Sequence, residues 1–258
     1  MSAGTVRPGI DMAWLERAAR ASPMEHAYAL WDLVQAPDRT RFVSTVSEGA
    51  TRAYLLLWHG SSNAVIAHWV GAPDPELLPW LPTPPCVLLV PTDVAPLVTA
   101  QRPGLVGSLT DLMLRDRSHP LPTDGRGVRR LHGGDRGQLP GFLPRDSPMH
   151  PGYARLDPDV EPAWGAFEGG RIIGAAHVTV SLPFVWVISG VYTRPDFRGR
   201  GVAQAVTAAI SRHAEALGAS AGLFVREENL PAVRAYEKLG FRAVGRKVWF
   251  ESLTPLVA

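Results

Sequence analysis

Apolar positions in the second half of the chain first alternate as in strands and then switch to a helical period. Val128–Leu131 reads as a short strand, followed by an irregular Pro- and Gly-rich stretch. Ala163–Phe167 and Ile172–Val180 read as two strands joined by Glu168-Gly169-Gly170-Arg171, a hairpin turn signal. Phe184–Thr193 is a third, longer strand with Gly190 inside it. An interior glycine of that kind marks a bulge or a close backbone approach. From Val202 the period changes: Val202, Ala205, Val206, Ala209, Ile210 and Leu217 fall near helical spacing, and Gly218 supplies a stop. Ala221–Val225 reads as a strand. The run Asn229–Gly240 reads as a short helix, with Asn229 as N-cap, Pro231 in the first turn and Gly240 closing the end. Val233, Tyr236 and Leu239 share one face of it, and Val244–Glu251 forms the last strand.

The first half is patterned too. Met12–Ala21 and Met24–Gln35 have helical spacing, with Asp11 and Ser22 placed as caps. Ala53–Trp58 and Ala64–Val70 read as a hairpin across Gly60-Ser61-Ser62-Asn63. Pro85–Val90 reads as a strand, Val94–Gln101 as a short helix and Ser108–Leu114 as an element of its own. The Pro/Gly/Asp-rich span Arg102–Arg126 contains the expected boundary, dividing the chain into an α/β domain at 1–125 and a second domain at 126–258. The hairpin Ala53–Val70 echoes Ala163–Val180, each with a histidine late in its second strand, His68 and His177. An internal repeat and a chance likeness of two hairpins both account for that echo.

The chemistry is concentrated in VYTRPDFRGRGVAQAV, residues 191–206. A strand runs into a turn crowded with arginine and glycine, and a helix follows at once. Glycine tolerates positive φ and has no Cβ, so the main chain of Arg198-Gly199-Arg200-Gly201 can approach an anion closely. The amides of the helix N-terminus then face it, which suits a pyrophosphate. Two common phosphate motifs fail here. No Lys-Ser/Thr pair follows the glycines, and lysine occurs only at Lys238 and Lys247. Gln204 stands where a dinucleotide fingerprint needs its third glycine or alanine.

The run Arg198-x-x-Gly201-x-Ala203, followed downstream by Asn229, Tyr236 and Gly240-Phe241, resembles the GNAT acetyltransferases over roughly residues 127–251. That resemblance implies a mixed α/β fold in the C-terminal half. It leaves the N-terminal half as an α/β domain that is either its own fold or a degenerate GNAT-like repeat without a cofactor site, as in two-domain relatives similar to glycine N-acyltransferases. It implies acetyl-CoA as the cofactor. Arg198, Gly199, Arg200, Gly201, Val202 and Ala203 would grip the pyrophosphate, the main chain of Val191, Tyr192 and Thr193 would pair with the pantetheine arm, and Asn229 and Tyr236 would form the second cofactor segment.

By the same resemblance the acetyl group passes directly to a small amine or amino-acid-like acceptor in a ternary complex. A backbone N–H near Val191 would stabilise the oxyanion, and Tyr236 would protonate the leaving thiolate. An alkyl ammonium has a pKa of about 10, so the amine needs a base. Many relatives carry a glutamate on the central strand, but Trp186–Gly190 contains no carboxylate. His177 titrates in a useful range if it lines the cleft, although a lone strand histidine is more often structural. Glu168, Glu227 and Glu228 are further candidates. Leu139–Pro144 lies where such folds contact the acceptor. Two alternatives stay open: an enzyme using a longer acyl-CoA, and a CoA-binding regulatory module with little catalysis.

Composition trims the remaining options. A 46% apolar content supports packed cores, and Leu77–Val90, the nearest approach to a membrane span, is broken by Pro79, Pro82, Pro84 and Pro85. The N-terminus lacks the basic, apolar and small-residue order of a signal peptide. Cys86 stands alone, so neither an intrachain disulfide nor a zinc cluster is expected, and a cytoplasmic protein is the simplest account. A net charge of +2 argues against a nucleic-acid footprint. The expected partner is therefore a small-molecule amine, with no nucleic acid, no membrane and a homodimer left open.

Overall fold

The computed structural model describes residues 5–60, 64–122, 127–147 and 149–252. The expected turn at Ser61–Asn63 and the expected boundary at 125/126 lie outside the described residues. The chain packs as two compact units, one of residues 1–112, 226–228 and 244–258, the other of residues 113–225 and 229–243.

The first unit opens with β1 (Thr5–Pro8), α1 (Met12–Ala21) and α2 (Pro23–Gln35). Asp11 caps α1, its Oδ1 accepting from the Trp14 N–H at 2.9 Å. Ser22, expected to cap α2, makes no side-chain cap bond. Pro23 at the first helical position starts that helix instead, its fixed φ already helical. β2 (Thr40–Ser47), β3 (Ala50–His59), β4 (Val65–Gly71) and β5 (Cys86–Pro91) follow, then α3 (Ala95–Gln101) and β6, which begins at Gly107 and runs to Arg115. β2 hides its strand period because Ser44 and Thr45 are buried. Their hydroxyls donate to the Gly9 carbonyl at 2.9 Å and the Ala53 carbonyl at 3.5 Å, so polar residues occupy core positions.

Within this unit the sheet runs β1-β2-β3-β4-β5 and then β12, the chain's last strand (Phe241–Ser252), through its residues Lys247–Ser252. Every pair is antiparallel except β4–β5. Leu55, Trp69, Leu77, Leu88, Val90 and Val98 form the centre of its core.

The second unit holds β7 (Val128–Arg130), α4 (His150–Arg155), β8 (Ala163–Glu168), β9 (Arg171–Leu182), β10 (Val185–Thr193), α5 (Val202–Ala216), β11 (Ser220–Arg226) and α6 (Leu230–Glu237). Its strands run β7-β8-β9-β10-β11, antiparallel except for β10–β11. Successive residues of a strand face opposite sides of the sheet, and two cores result. Ala176 and Val178 of β9 join Val206, Ile210 and Ala214 of α5. Ala175 of β9 and Tyr192 of β10 join Phe142, Tyr153 and Leu156. Leu217, expected on the buried face of α5, is 60% exposed because the helix has already ended at Ala216.

Element order recurs along the chain: a strand, a helical stretch, three strands, a helical connection, a strand, a helix and a strand. The parallel partner identifies β4 as the counterpart of β10. The hairpin echo that aligned Ala53–Val70 with Ala163–Val180 is therefore one strand out of step, and His68 does not correspond to His177. After β4, where α5 follows β10, the first unit has only a 3-10 run, Pro75–Trp80. Its leading amide is already taken by Asp74, whose Oδ1 accepts from the Glu76 N–H at 3.3 Å. A protein carboxylate sits at that helix start, at the position where the second unit keeps an open turn.

The first unit buries titratable groups. Burial pushes His68 down to about 3, with the Lys247 ammonium adding to it, and burial pushes His26 down to about 4. Lys247 itself is buried, its Nζ lying 2.8 Å from Glu25 Oε2 and donating to the Trp69 carbonyl at 3.0 Å. Below the ordinary histidine value of 6.5 the unfolded chain takes up protons that folded His26 and His68 refuse. Stability therefore falls as pH falls through that window. Half-buried Asp32, raised to about 7 by burial, acts with the opposite sign. Urea denaturation at pH 6 and at pH 4.5 should show wild-type protein losing stability more steeply than His68→Gln, by up to ~1.4 kcal/mol per pH unit. Asp32→Asn should steepen the loss.

Candidate active site

The site is built around a break in β10. Ser189 pairs with His177 of β9, but the next pair is Tyr192 with Ala175, so Gly190 and Val191 face too few partners and bulge out of register. Gly190 has φ +63°, a conformation that favours glycine. A Cβ there would lie 2.6 Å from both Cδ2 and Nε2 of His177, so the histidine ring occupies the space a side chain would need. The parallel ladder with β11 covers Val185–Ile188 against Ser220–Leu223, and β10 continues to Thr193 beyond it. The expected bulge at Gly190 is thus present.

Beyond Thr193 a single 3-10 turn, Pro195–Phe197, leads into the arginine–glycine turn. Gly199 has φ +75° with no atom within 4 Å of where a Cβ would stand. Gly201, the N-cap of α5, has φ +76° and no side-chain cap, and only Gln204 Oε1 approaches it, at 3.6 Å. The first amides of α5 therefore carry the positive end of a 15-residue helix, with no side-chain cap and no acidic residue in its first turn. Arg198 and Arg200 are exposed beside it. Arg198 lies over the Tyr192 ring at 5.9 Å and donates from Nε to the Thr193 carbonyl at 3.3 Å, while Arg200 lies over Phe197 at 4.9 Å. Val202 is buried, and a Cβ on Gly174 would meet its Cγ1, so the start of α5 sits directly on β9. Ala203 is the next residue of that first turn.

Gln204 ties this turn to α6, its Nε2 donating to the Ala235 carbonyl at 3.4 Å. Asn229 caps α6, Oδ1 accepting from the Ala232 N–H at 3.3 Å. Tyr236 is buried against Phe241, ring centroids 6.0 Å apart, and burial pushes its hydroxyl up to about 12. Pro120, Leu121, Pro122, Gln204, Lys238 and Leu239 line a cleft of about 420 Å3 next to these two helices.

His177 is 15% exposed, and burial pushes it down to about 4, below the range expected of it from the sequence, so it is a neutral imidazole at physiological pH. Its Nδ1 is buried without a hydrogen-bond partner. The nearest carboxylate is Glu161, with Oε2 at 4.0 Å. Burial raises the Glu161 carboxyl, and the charge of Asp157 raises it further. Thr193 Oγ1 is likewise buried and unpartnered. Two orphaned polar atoms thus flank the bulged segment, the condition expected where a polar ligand completes the hydrogen bonding.

The other candidate bases stand elsewhere. Glu168 is exposed at the β8–β9 turn, paired across it with Arg171. Glu227 and Glu228 belong to the first unit, and Glu227 lies 3.4 Å from Arg246 there. In Leu139–Pro144, where an acceptor contact was expected, Pro140, Gly141 and Pro144 are exposed. Leu139, Phe142 and Leu143 are buried in one core with Tyr192. Two residues that sequence patterning passes over join the site. Glu161 follows an irregular turn, and Tyr153 lies on a helix of only six residues, too short for a periodic signal.

Residues 136–241 match the acetyltransferase (GNAT) family. No curated protein matches the sequence. Among solved structures, a protein of Novosphingobium aromaticivorans assigned to the GNAT family is 26% identical, covering 72% of this chain and 84% of its own, with a TM-score of 0.53. A GCN5-related N-acetyltransferase from Sphaerobacter thermophilus covers 98% of this chain and 96% of its own at 16% identity, with a TM-score of 0.63. A tandem GNAT protein from the clavulanic acid biosynthesis pathway covers 98% of this chain and all of its own at 14% identity, with a TM-score of 0.58. Among the described residues no helix is long and apolar enough to cross a membrane.

Gly190→Ala should destabilise the protein by about 1–3 kcal/mol in chemical denaturation, since it strains the backbone and displaces His177. A variant as stable as wild type would contradict the geometry of the bulge. Taken with the open amides of α5 and the break in β10, these likenesses show that the chain carries a GNAT acetyltransferase domain, matched over residues 136–241, and is an acyltransferase.

Proposed function

We propose that the protein is a cytoplasmic N-acetyltransferase that passes the acetyl group of acetyl-CoA directly to the amine of a small, amino-acid-like acceptor. The observation that supports this most is the joint presence, within one unit, of the uncapped glycine turn at α5 and the bulge flanked by the orphaned Thr193 Oγ1 and His177 Nδ1. Acetyl-CoA, when bound, supplies a thioester carbonyl carbon open to attack.

Main-chain amides from Arg198 to Ala203, with the Arg198 and Arg200 guanidiniums, hold the pyrophosphate. The main chain of Val191, Tyr192 and Thr193 aligns the pantetheine arm, and the Val191 N–H donates to the carbonyl oxygen as negative charge develops on it. His177, held neutral by burial, accepts the proton the acceptor ammonium must lose, and Glu161 at 4.0 Å shares the resulting charge. As the C–N bond forms and the C–S bond breaks, Tyr236 supplies a proton to the leaving sulfur and regains one from the second proton that the acceptor nitrogen sheds, so that one proton remains on His177 for release to solvent. The raised Tyr236 pKa of about 12 keeps that hydroxyl protonated at neutral pH. Asn229 acts indirectly, by starting the helix that carries Tyr236.

In isothermal calorimetry Gly201→Glu should weaken acetyl-CoA binding at least about tenfold, because its carboxylate stands where the pyrophosphate belongs and its side chain strains a positive φ. Unchanged affinity would sink the reading. With a panel of small amines, His177→Gln should lower kcat about a hundredfold while leaving the acetyl-CoA affinity within twofold. The wild-type kcat/KM profile should lose activity on the acid side only as pH falls through about 4, where His177 gains its proton.

A further inference from the structure

The Val191 N–H can serve as an oxyanion donor only if its peptide plane is held, and a bulge is where the sheet stops holding it. Gly190 and Val191 fall between two regular pairs, Ser189–His177 and Tyr192–Ala175. Something other than the ladder must set the plane that joins them.

That plane has one clear anchor. The Tyr153 hydroxyl donates to the Gly190 carbonyl at 2.6 Å, a short bond for a neutral pair. Carbonyl and N–H point in opposite directions across a trans peptide. Drawing the Gly190 carbonyl toward Tyr153 therefore turns the Val191 N–H away from it. Tyr153 belongs to the cluster with Phe142 and Tyr192, whereas the Val191 side chain packs with the cluster that contains α5. We propose that Tyr153 is a positioning residue for acyl transfer, its hydroxyl fixing the Gly190–Val191 peptide so that the Val191 N–H is aimed at the thioester oxygen.

Three features suit Tyr153 to that task. Its side chain is 1% exposed, so water does not compete for the carbonyl. Its ring is clamped edge-on by Phe142 at 5.3 Å and by His177 at 5.7 Å, which leaves the hydroxyl little freedom. Burial, reinforced by the neighbouring Tyr236 hydroxyl, pushes the phenol well above its ordinary value, so it stays a donor throughout the working pH range. The contact to His177 also joins the candidate base to the same anchor. The inference rests on the proposed acetyltransferase reading, and goes beyond it by naming what orients the donor.

Tyr153→Phe removes the hydroxyl and keeps the ring. Its kcat should fall at least about tenfold, since a preorganised donor has become a wandering one, with the KM and calorimetric affinity for acetyl-CoA within twofold of wild type. Leu156→Ala, which thins the same core without touching the hydroxyl, should lower Tm and leave kcat within about twofold. If Tyr153→Phe keeps wild-type kcat, loses kcat only in step with Tm as Leu156→Ala does, or fails to fold, the positioning role is overturned. Wild-type protein that neither binds nor turns over acetyl-CoA would instead overturn the acetyltransferase reading, which separates the two failures.

Discussion

A strand in the middle of a sheet spends its main-chain donors and acceptors on its neighbours, so it can offer backbone to a ligand only where pairing is interrupted. In β10 the interruption is Gly190. Its left-handed φ, the skipped pairs with β9 and the early end of the ladder with β11 all occur within a few residues. The rest of the second unit is arranged around that break. His177 fills the space a Cβ would occupy, Tyr153 holds the carbonyl, and Tyr192 and Thr193 lead through one 3-10 turn into the turn that opens α5. The proposed phosphate grip and the proposed carbonyl-facing backbone thus sit at opposite ends of one short, continuous stretch, and their separation is set by the covalent chain.

The two units show how the same order of elements diverges in chemistry. In the second, Gly201 leaves the amides of α5 uncapped. In the first, the corresponding connection is a 3-10 run with Asp74 bound to its own leading amide and Glu76 beside it. An internal carboxylate at a helix start competes with any external phosphate and repels it. The first unit has instead invested in buried polar contacts: His26 Nδ1 lies 2.8 Å from the Tyr54 hydroxyl, and Lys247 pairs with Glu25.

Much of this was legible in the sequence where a residue type has few physical uses. Gly190 announced a bulge, Gly199 and Gly201 a positive φ, and Asn229 and Gly240 bracketed a helix. The expected strands of the second half lie within a few residues of the observed ones, and β12 begins at Phe241 because the Gly240 turn leads straight into it. What stayed hidden depends on contacts between distant segments. β2 buries hydroxyls that look like surface residues, and Tyr153 acquires its role only through Gly190, far along the chain. Ser22 has the right residue type for a cap, but the Glu25 N–H that its side chain would have served donates to the Ser22 main-chain carbonyl at 3.1 Å instead. The misaligned hairpin echo has a similar cause, since only strand pairing tells a parallel neighbour from an antiparallel one.

The central claim is that the Gly190 break and the Gly201 turn serve one extended CoA ligand. A crystal structure of the protein with acetyl-CoA tests it most directly. The expected result places the pyrophosphate on the amides from Arg198 to Ala203 and the thioester oxygen within hydrogen-bond distance of the Val191 N–H. Acetyl-CoA bound away from either feature, or with its thioester remote from Val191, would contradict the claim.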